Sequence, residues 1–325
     1  MTNQVDVNEN VLLPTCNGEL KLACKLYSVH GLDHSKHAVR LICYPGWLDN
    51  SGSFDDLAVY LCATFGYALL TVDPPGCGLS DHRPKAQIYN DYEEVPLIGD
   101  LADALGWDEF GVVGHSRGGG IAGFAAGMFS KRVRVLVGID SVFALSGMYI
   151  ADVMPGAPTA PNRMVKGWEM FKKNHTRKPR VFDNIDQAVE ASVDHVVFKK
   201  SVRGATNIVK RHTRPCPGGI TFTHDVRTYG QLQCVHMKLD HYREFLGSIR
   251  APVLQVMDHS RSRELKEWHD RQELLRSLLT TPPTIIDLTG LGHHMHCDHP
   301  ERVGGEIGTW VDANYHIRIQ GKSKI

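Results

Sequence analysis

Neither sign of charge is in excess in this chain: 36 Lys and Arg stand against 36 Asp and Glu over 325 residues. A protein that holds nucleic acid or an anionic membrane through its overall field carries a surplus of basic residues. No nucleic-acid partner is therefore expected. Long apolar runs are also missing. None approaches the ~18 residues of a membrane helix, so no membrane span is expected. The first ten residues, MTNQVDVNEN, have no basic start followed by an apolar core, which argues against a secretory signal. The eight cysteines (16, 24, 43, 62, 77, 216, 234 and 297) form no CxxC pair. That spacing excludes a disulfide framework and points to a reducing, intracellular compartment. Cys43, in RLICYPG, has the setting of a free cysteine packed as a small hydrophobe.

What is present is an alternation of short apolar runs with helical patterns. This is the mark of a mostly parallel sheet with helices on both faces. ELKLACKLYS (19–28) reads as an early antiparallel strand, and AVRLICY (38–44), YALLTVD (67–73), FGVVG (110–114) and VRVLVGID (133–140) as further strands. Helical spacing marks 54–65, 95–106 and 117–129. From about 142 to 248 the rhythm breaks into a Pro-, Met- and charge-rich block with helical patches and no clear strand. Strand character returns at APVLQVMD (251–258), followed by a helix over 262–279, a strand over 284–290 and a last helix over 300–313. The expected architecture is an α/β core from 1–141 and 249–325 with a helical cap insertion over 142–248.

The stretch FGVVGHSRGGGIAG (110–123) supports two chemistries. Gly118, Gly120 and Gly123 match the G-x-G-x-x-G dinucleotide fingerprint, with Asp140 about 20 residues on as the ribose acid. That fingerprint needs its first glycine in the turn directly after the strand. Here Gly114 to Arg117 intervene, so the triplet falls inside a helix. The other reading is a nucleophile elbow, Gly114-x-Ser116-x-Gly118. A serine on a sharp strand-to-helix turn is lifted above the sheet, and small neighbours make the turn possible. Its company favours this reading. A turn after a strand at CYPGWLDNSGSFDDL (43–57) can aim backbone N–H groups at a carbonyl oxygen, and GLGHHMH (290–296) offers a histidine on a glycine-rich turn. The order of oxyanion loop, serine and histidine is that of α/β-hydrolases.

On these segments, together with DPPGCGLSDHRP, RGATNIV and HHMHCDHPERV, the chain resembles the α/β-hydrolase superfamily along nearly its whole length. More narrowly, it resembles the serine hydrolase-like proteins. The resemblance implies a serine esterase or thioesterase that needs no cofactor. Ser116 is the expected nucleophile. His293, directly after the turn glycine, is the expected general base, since a serine hydroxyl needs one. The backbone N–H groups of Trp47 and Arg117 are the expected oxyanion donors. The acid that orients the histidine is Asp140, ending its strand, with Asp258 at the end of VLQVMD as the alternative. A serine rather than an aspartate at 116 argues against dehalogenase or epoxide hydrolase chemistry. His293, His294, His296, Cys297, Asp298 and His299 cluster in sequence, but no His-x-x-x-His helix with a carboxylate partner accompanies them, so no metal is expected. Pro45-Gly46 stands where the group usually carries His-Gly. That departure motivates an alternative reading as a non-catalytic ligand binder on the same fold.

Two further features remain. Residues 142–215 carry 13 Lys and Arg against 6 Asp and Glu, a bias read as a solvated face, with recognition of an anionic substrate group as the alternative. The chain ends in Ser323-Lys324-Ile325, which resembles the Ser-Lys-Leu address of the peroxisomal import receptor. A peroxisomal protein with a cytoplasmic pool is expected, with a purely cytoplasmic one as the alternative.

Overall fold

The computed structural model describes residues 2–15, 18–141, 160–193, 199–230, 239–261 and 265–317. Eight strands form the main sheet in the order β1-β2-β4-β3-β5-β6-β10-β11. They are β1 (Val5–Pro14), β2 (Lys21–Val29), β3 (Arg40–Tyr44), β4 (Ala68–Val72), β5 (Phe110–His115), β6 (Val133–Ile139), β10 (Val253–Met257) and β11 (Thr284–Asp287). β1 and β2 run antiparallel to their neighbours, and the other six are parallel. Strands β4, β5, β6 and β10 are buried along their whole length, as predominantly apolar strands covered on both faces are.

Helices complete the two outer layers. Successive β3 residues face opposite ways. Ile42 and Tyr44 pack with α2 (Val95–Ala104), α3 (Arg117–Met128), α7 (Leu239–Gly247) and α8 (Leu265–Leu278). Leu41 and Cys43 pack with α1 (Asp55–Phe65) and α10 (Pro300–Asn314). Between β6 and β10 the described chain forms α4 (Ala160–His175), α5 (Ile185–Val193), α6 (Val202–Arg211) and an antiparallel sheet in the order β7-β9-β8. Those strands are β7 (Val181–Phe182), β8 (Thr213–Cys216) and β9 (Gly219–Phe222). They enclose a small core of Phe182, Ala188, Val189, Ala205 and Val209.

Two differences from the sequence reading have physical reasons. Among its described residues, the block over 142–248 holds three strands where none was expected. They are two to four residues long and carry Arg, Pro and Gly, too short for alternation to register. β1 also escaped notice, because it is a mostly exposed edge strand whose sequence VDVNENVLLP is polar along its middle. Trp47, Ser116, Asp140, Asp258 and His293 lie on the loops that leave the carboxyl ends of β3, β5, β6, β10 and β11, where open α/β sheets place their sites.

Candidate active site

Ser116 follows β5 with φ 50° and ψ −118°, a region that L-residues rarely occupy. The surroundings hold it there. Its N–H donates to Ile139 O at 3.0 Å, and its carbonyl accepts from Gly119 N–H at 3.0 Å. Glycine is needed on either side for lack of room. A Cβ at Gly114 would stand 2.3 Å from Gly118 O, and one at Gly118 would stand 2.2 Å from Tyr44 O. The turn can therefore form only in a sequence with glycine at both places, and it delivers Ser116 to the N-terminus of α3, whose dipole favours developing negative charge. Gly118, Gly120 and Gly123 all lie within α3, so the dinucleotide fingerprint has no strand-to-helix turn to cradle a phosphate.

His293 sits on the loop after β11, and its Nδ1 is hydrogen-bonded to Asp140 Oδ2. Asp140 leaves β6 in the left-handed region, φ 42°, with its N–H donating to Val256 O at 2.8 Å. That backbone turn swings its carboxylate across the sheet edge to the histidine. Asp258 is occupied otherwise. Its Oδ1 accepts from Gly290 N–H at 3.0 Å and from the Ser260 hydroxyl at 2.6 Å, and its Oδ2 accepts from Gly292 N–H at 2.7 Å. Burial would raise this carboxyl, but the bonds from Ser260, Gly290 and Gly292 hold it below its ordinary value. Asp258 thus fastens the loop that presents His293, while Asp140 binds the ring. A second tether comes from His115, whose Nε2–H donates to His293 O at 2.8 Å.

The remaining histidines of the HHMH run turn inward. His294 Nε2–H donates to Asp49 Oδ2 at 3.2 Å, and His296 packs against Phe54 in the core. Asp49, His115 and His294 each offer an atom within 4.8 Å of the others, a grouping that could hold a metal ion. The Lys200 ammonium, however, lies 3.3 Å from Asp49 Oδ1. Lys200, His294 and His115 hold this buried carboxyl well below its ordinary value although burial opposes them. The carboxylate is already compensated without a metal.

Trp47 lies on the loop after β3, and Arg117, the first residue of α3, directly follows Ser116. The Trp47 indole N–H donates to Thr228 O at 3.1 Å. The Arg117 side chain is pinned away from solvent by Asp91 at 2.7 Å and Glu94 at 2.6 Å, and Tyr44 OH donates to Glu94 at 2.7 Å. Ser116, His293 and Trp47 line one cavity of about 370 Å³. Its far walls come from the segment between β6 and β10: Arg177, Arg180, Phe182, Ile208, Phe222 and Tyr229, with His212 and His224 among them.

Several of these residues were not singled out in the sequence. His212 and His224 sit on either side of the β8–β9 hairpin and carry no motif. Asp73 sits in the glycine-bearing loop that was noticed, yet its partner Arg211, 138 residues away, was not. Arg211 Nε donates to both Asp73 oxygens at 2.9 Å, and Ser51 and Leu79 amides donate to the same carboxylate. Ser323, Lys324 and Ile325 lie outside the described residues.

A buried, mostly parallel sheet, a strained serine between two glycines, and a histidine from the loop after β11 bonded to an aspartate at the end of β6 define the α/β-hydrolase class. The family profile described as alpha/beta hydrolase fold matches residues 39–174. Serine hydrolase-like protein 2 of Homo sapiens is 36% identical over 289 residues, 86% of this chain and 89% of that protein. The serine hydrolase-like protein of Danio rerio is 25% identical over 299 residues, 88% of this chain and 86% of that protein. Among solved structures, a selenomethionine-substituted hypothetical protein from Pseudomonas aeruginosa PAO1 aligns with a TM-score of 0.77 at 25% identity, covering 95% of this chain and 99% of that one. The chain belongs to the serine hydrolase-like group of the α/β-hydrolase superfamily. No helix among the described residues is long and apolar enough to cross a membrane.

Proposed function

We propose that the chain is a serine hydrolase that cleaves a carboxylic ester or thioester through an acyl-enzyme. The observation that carries this reading is the His293–Asp140 hydrogen bond beside the strained Ser116, with both the histidine and the serine lining one cavity. With Nδ1–H given to Asp140, His293 keeps a lone pair on Nε2 and can take the Ser116 proton as the hydroxyl oxygen attacks the carbonyl carbon. The tetrahedral oxyanion accepts from the Trp47 and Arg117 amides. His293 then protonates the departing alcohol or thiol, leaving the acyl group on Ser116. Water, deprotonated by His293, attacks that acyl group; the free acid leaves and Ser116 regains its proton. No cofactor enters either half-reaction. In this reading residues 142–248 act as a cap that shapes the acyl and leaving-group pocket.

An active-site fluorophosphonate should label the folded protein at Ser116 and leave Ser116→Ala unlabelled. Folded protein that refuses the probe overturns the reading in favour of a non-catalytic binder, the alternative that Pro45 motivates. We also propose peroxisomal import through Ser323-Lys324-Ile325, since isoleucine keeps a branched apolar side chain beside the terminal carboxylate. A fluorescent protein ending in GKSKI should colocalise with a peroxisomal marker; diffuse signal assigns the protein to the cytoplasm.

A further inference from the structure

One wall of the cavity is built to meet negative charge. It begins with two buried histidines stacked at 4.7 Å between centroids. Gly78 N–H donates to His212 Nδ1 at 3.3 Å, and a ring nitrogen that accepts carries no proton. The hydrogen of His212 is therefore on Nε2, from which it is donated to His224 Nδ1 at 2.6 Å. By the same logic His224 carries its own hydrogen on Nε2. Burial pushes both imidazoles down, His224 to about 4 with help from the Arg177 charge, so both rings are neutral and the relay is fixed. Among the described residues no protein acceptor takes the His224 Nε2–H, and the ring lines the cavity.

The next element is Arg177. Its guanidinium lies 4.0 Å from the centre of the Tyr229 ring, and Tyr229 packs edge-on against His224 at 4.9 Å. Cation–π attraction holds the guanidinium over the ring face and leaves N–H donors for a ligand. Lys178 and Arg180 line the same cavity, Arg180 lying 4.7 Å from the Phe182 ring centre. Asp49 is the one carboxylate among the described lining residues, and Lys200 and His294 already hold it. Among the described residues, no carboxylate pairs with Arg177, Lys178 or Arg180. Arg177, Lys178 and Arg180 are exposed, yet all three line the cavity that holds the nucleophile, together with the N–H of His224.

We propose that Arg177, His224 and the flanking Lys178 and Arg180 form a subsite for an anionic oxygen group, carboxylate or phosphate, on the ester or thioester that Ser116 cleaves. Phe182, Ile208, Val209 and Phe222 supply the apolar surface of the same cavity for the linker between that group and the scissile carbonyl. The catalytic consequence of this subsite rests on the serine hydrolase reading.

Two substrate pairs separate the sources of the charge. The first is 4-nitrophenyl hemisuccinate against 4-nitrophenyl butyrate, which places a carboxylate on the acyl arm. The second is S-butyryl phosphopantetheine against S-butyryl pantetheine, which places a phosphate on the leaving arm. Charge-assisted hydrogen bonds are worth enough to raise kcat/KM about tenfold for the anionic member of at least one pair, mainly through KM. Arg177→Gln should bring that ratio toward one, Arg177→Lys should restore part of it, and added salt should erode it in the parent. Equal kcat/KM within both pairs, in protein whose Ser116 still takes the fluorophosphonate, overturns the subsite and leaves the hydrolase reading standing. If Ser116 takes no probe and neither pair is turned over, the hydrolase reading falls, and direct binding decides the subsite. Succinate monoamide or inorganic phosphate should then raise the melting temperature of the parent and not of Arg177→Gln. No such shift with either compound overturns the subsite as well.

Discussion

Asp140→Asn is the substitution that separates the two candidate acids. Asparagine is among the residues that tolerate a left-handed backbone, so the φ of 42° at this position does not disfavour it. What changes is the partner that His293 Nδ1 meets. An amide can turn its NH₂ toward the ring, which stabilises the tautomer with hydrogen on Nε2 and removes the lone pair that should receive the serine proton. Loss of the orienting carboxylate in a serine triad lowers kcat by roughly 10⁴, or about 5.4 kcal/mol of barrier. Asp258→Asn should behave differently. Its carboxylate accepts from two loop amides and from Ser260, and the amide nitrogen that replaces one oxygen accepts from none. These donors are only part-buried, so leaving one unpaired costs about 1 kcal/mol of stability. The resulting shift of the His293 loop should cost up to ~10²-fold in turnover. The assay is steady-state hydrolysis of a nitrophenyl ester beside thermal unfolding of both variants. Near-parental activity in Asp140→Asn with a folded but inactive Asp258→Asn refutes the assignment.

Other consequences are independent of substrate. Arg211→Met strips a fully buried carboxylate, Asp73, of its cation and should cost about 3–5 kcal/mol in urea unfolding; a loss below ~1 kcal/mol contradicts the buried pair. Gly118→Ala forces a Cβ to within 2.4 Å of two backbone carbonyls, Tyr44 and Pro45, and should cost about 3 kcal/mol or prevent folding. Gly305→Ala has nothing nearer than Tyr60 Oη at 3.6 Å and should stabilise α10 by about 0.5–1 kcal/mol, so equal losses in the two glycine variants count against the packing argument. His224, pushed by burial from 6.5 to about 4, binds fewer protons folded than unfolded between those values. Stability should therefore fall by up to ~3 kcal/mol as pH drops from 6.5 through 4, and His224→Gln should flatten that slope in pH-dependent thermal unfolding.

The parts of the fold that were legible share one property: their signal is local. β5 and β6 are predominantly apolar, as strands covered on both faces are, and that is visible in FGVV and VRVLVGI without any partner. The elbow is legible because its two glycines are demanded by close backbone contacts inside one short stretch. The acid was ambiguous for a geometric reason. Asp140 and Asp258 end strands that are neighbours in the sheet, so both arrive at the same edge. What separates them is a left-handed backbone at 140 and the loop at 290–292, and neither is written in the nearby sequence. The basic bias of 142–215 was visible as composition, yet composition cannot say which of those residues converge on the cavity.

The segment after α6 is not a loose cover, and this bears on how the cavity selects its ligand. Arg211 is tied to Asp73, and Thr223 donates to Gly78 O at 2.6 Å. Arg227 donates to the carbonyls of Arg83, Pro84 and Gln87, and Asp225 accepts from Tyr89 OH at 2.9 Å. Trp47, one of the proposed oxyanion residues, is held through its indole by Thr228. Each bond joins the chain from Arg211 onward to the loops after β3 and β4, and several of the groups are buried. The wall that carries His224 and Tyr229 is therefore organised before any ligand arrives, so little ordering cost falls on binding. Arg177 and Arg180 come from the turn between α4 and β7, which is fastened more lightly, by Thr221 OH donating to Arg180 O at 2.8 Å. A fixed neutral donor beside less constrained cations is suited to anions of more than one size, with the rigid apolar wall setting the length of what lies between them and Ser116.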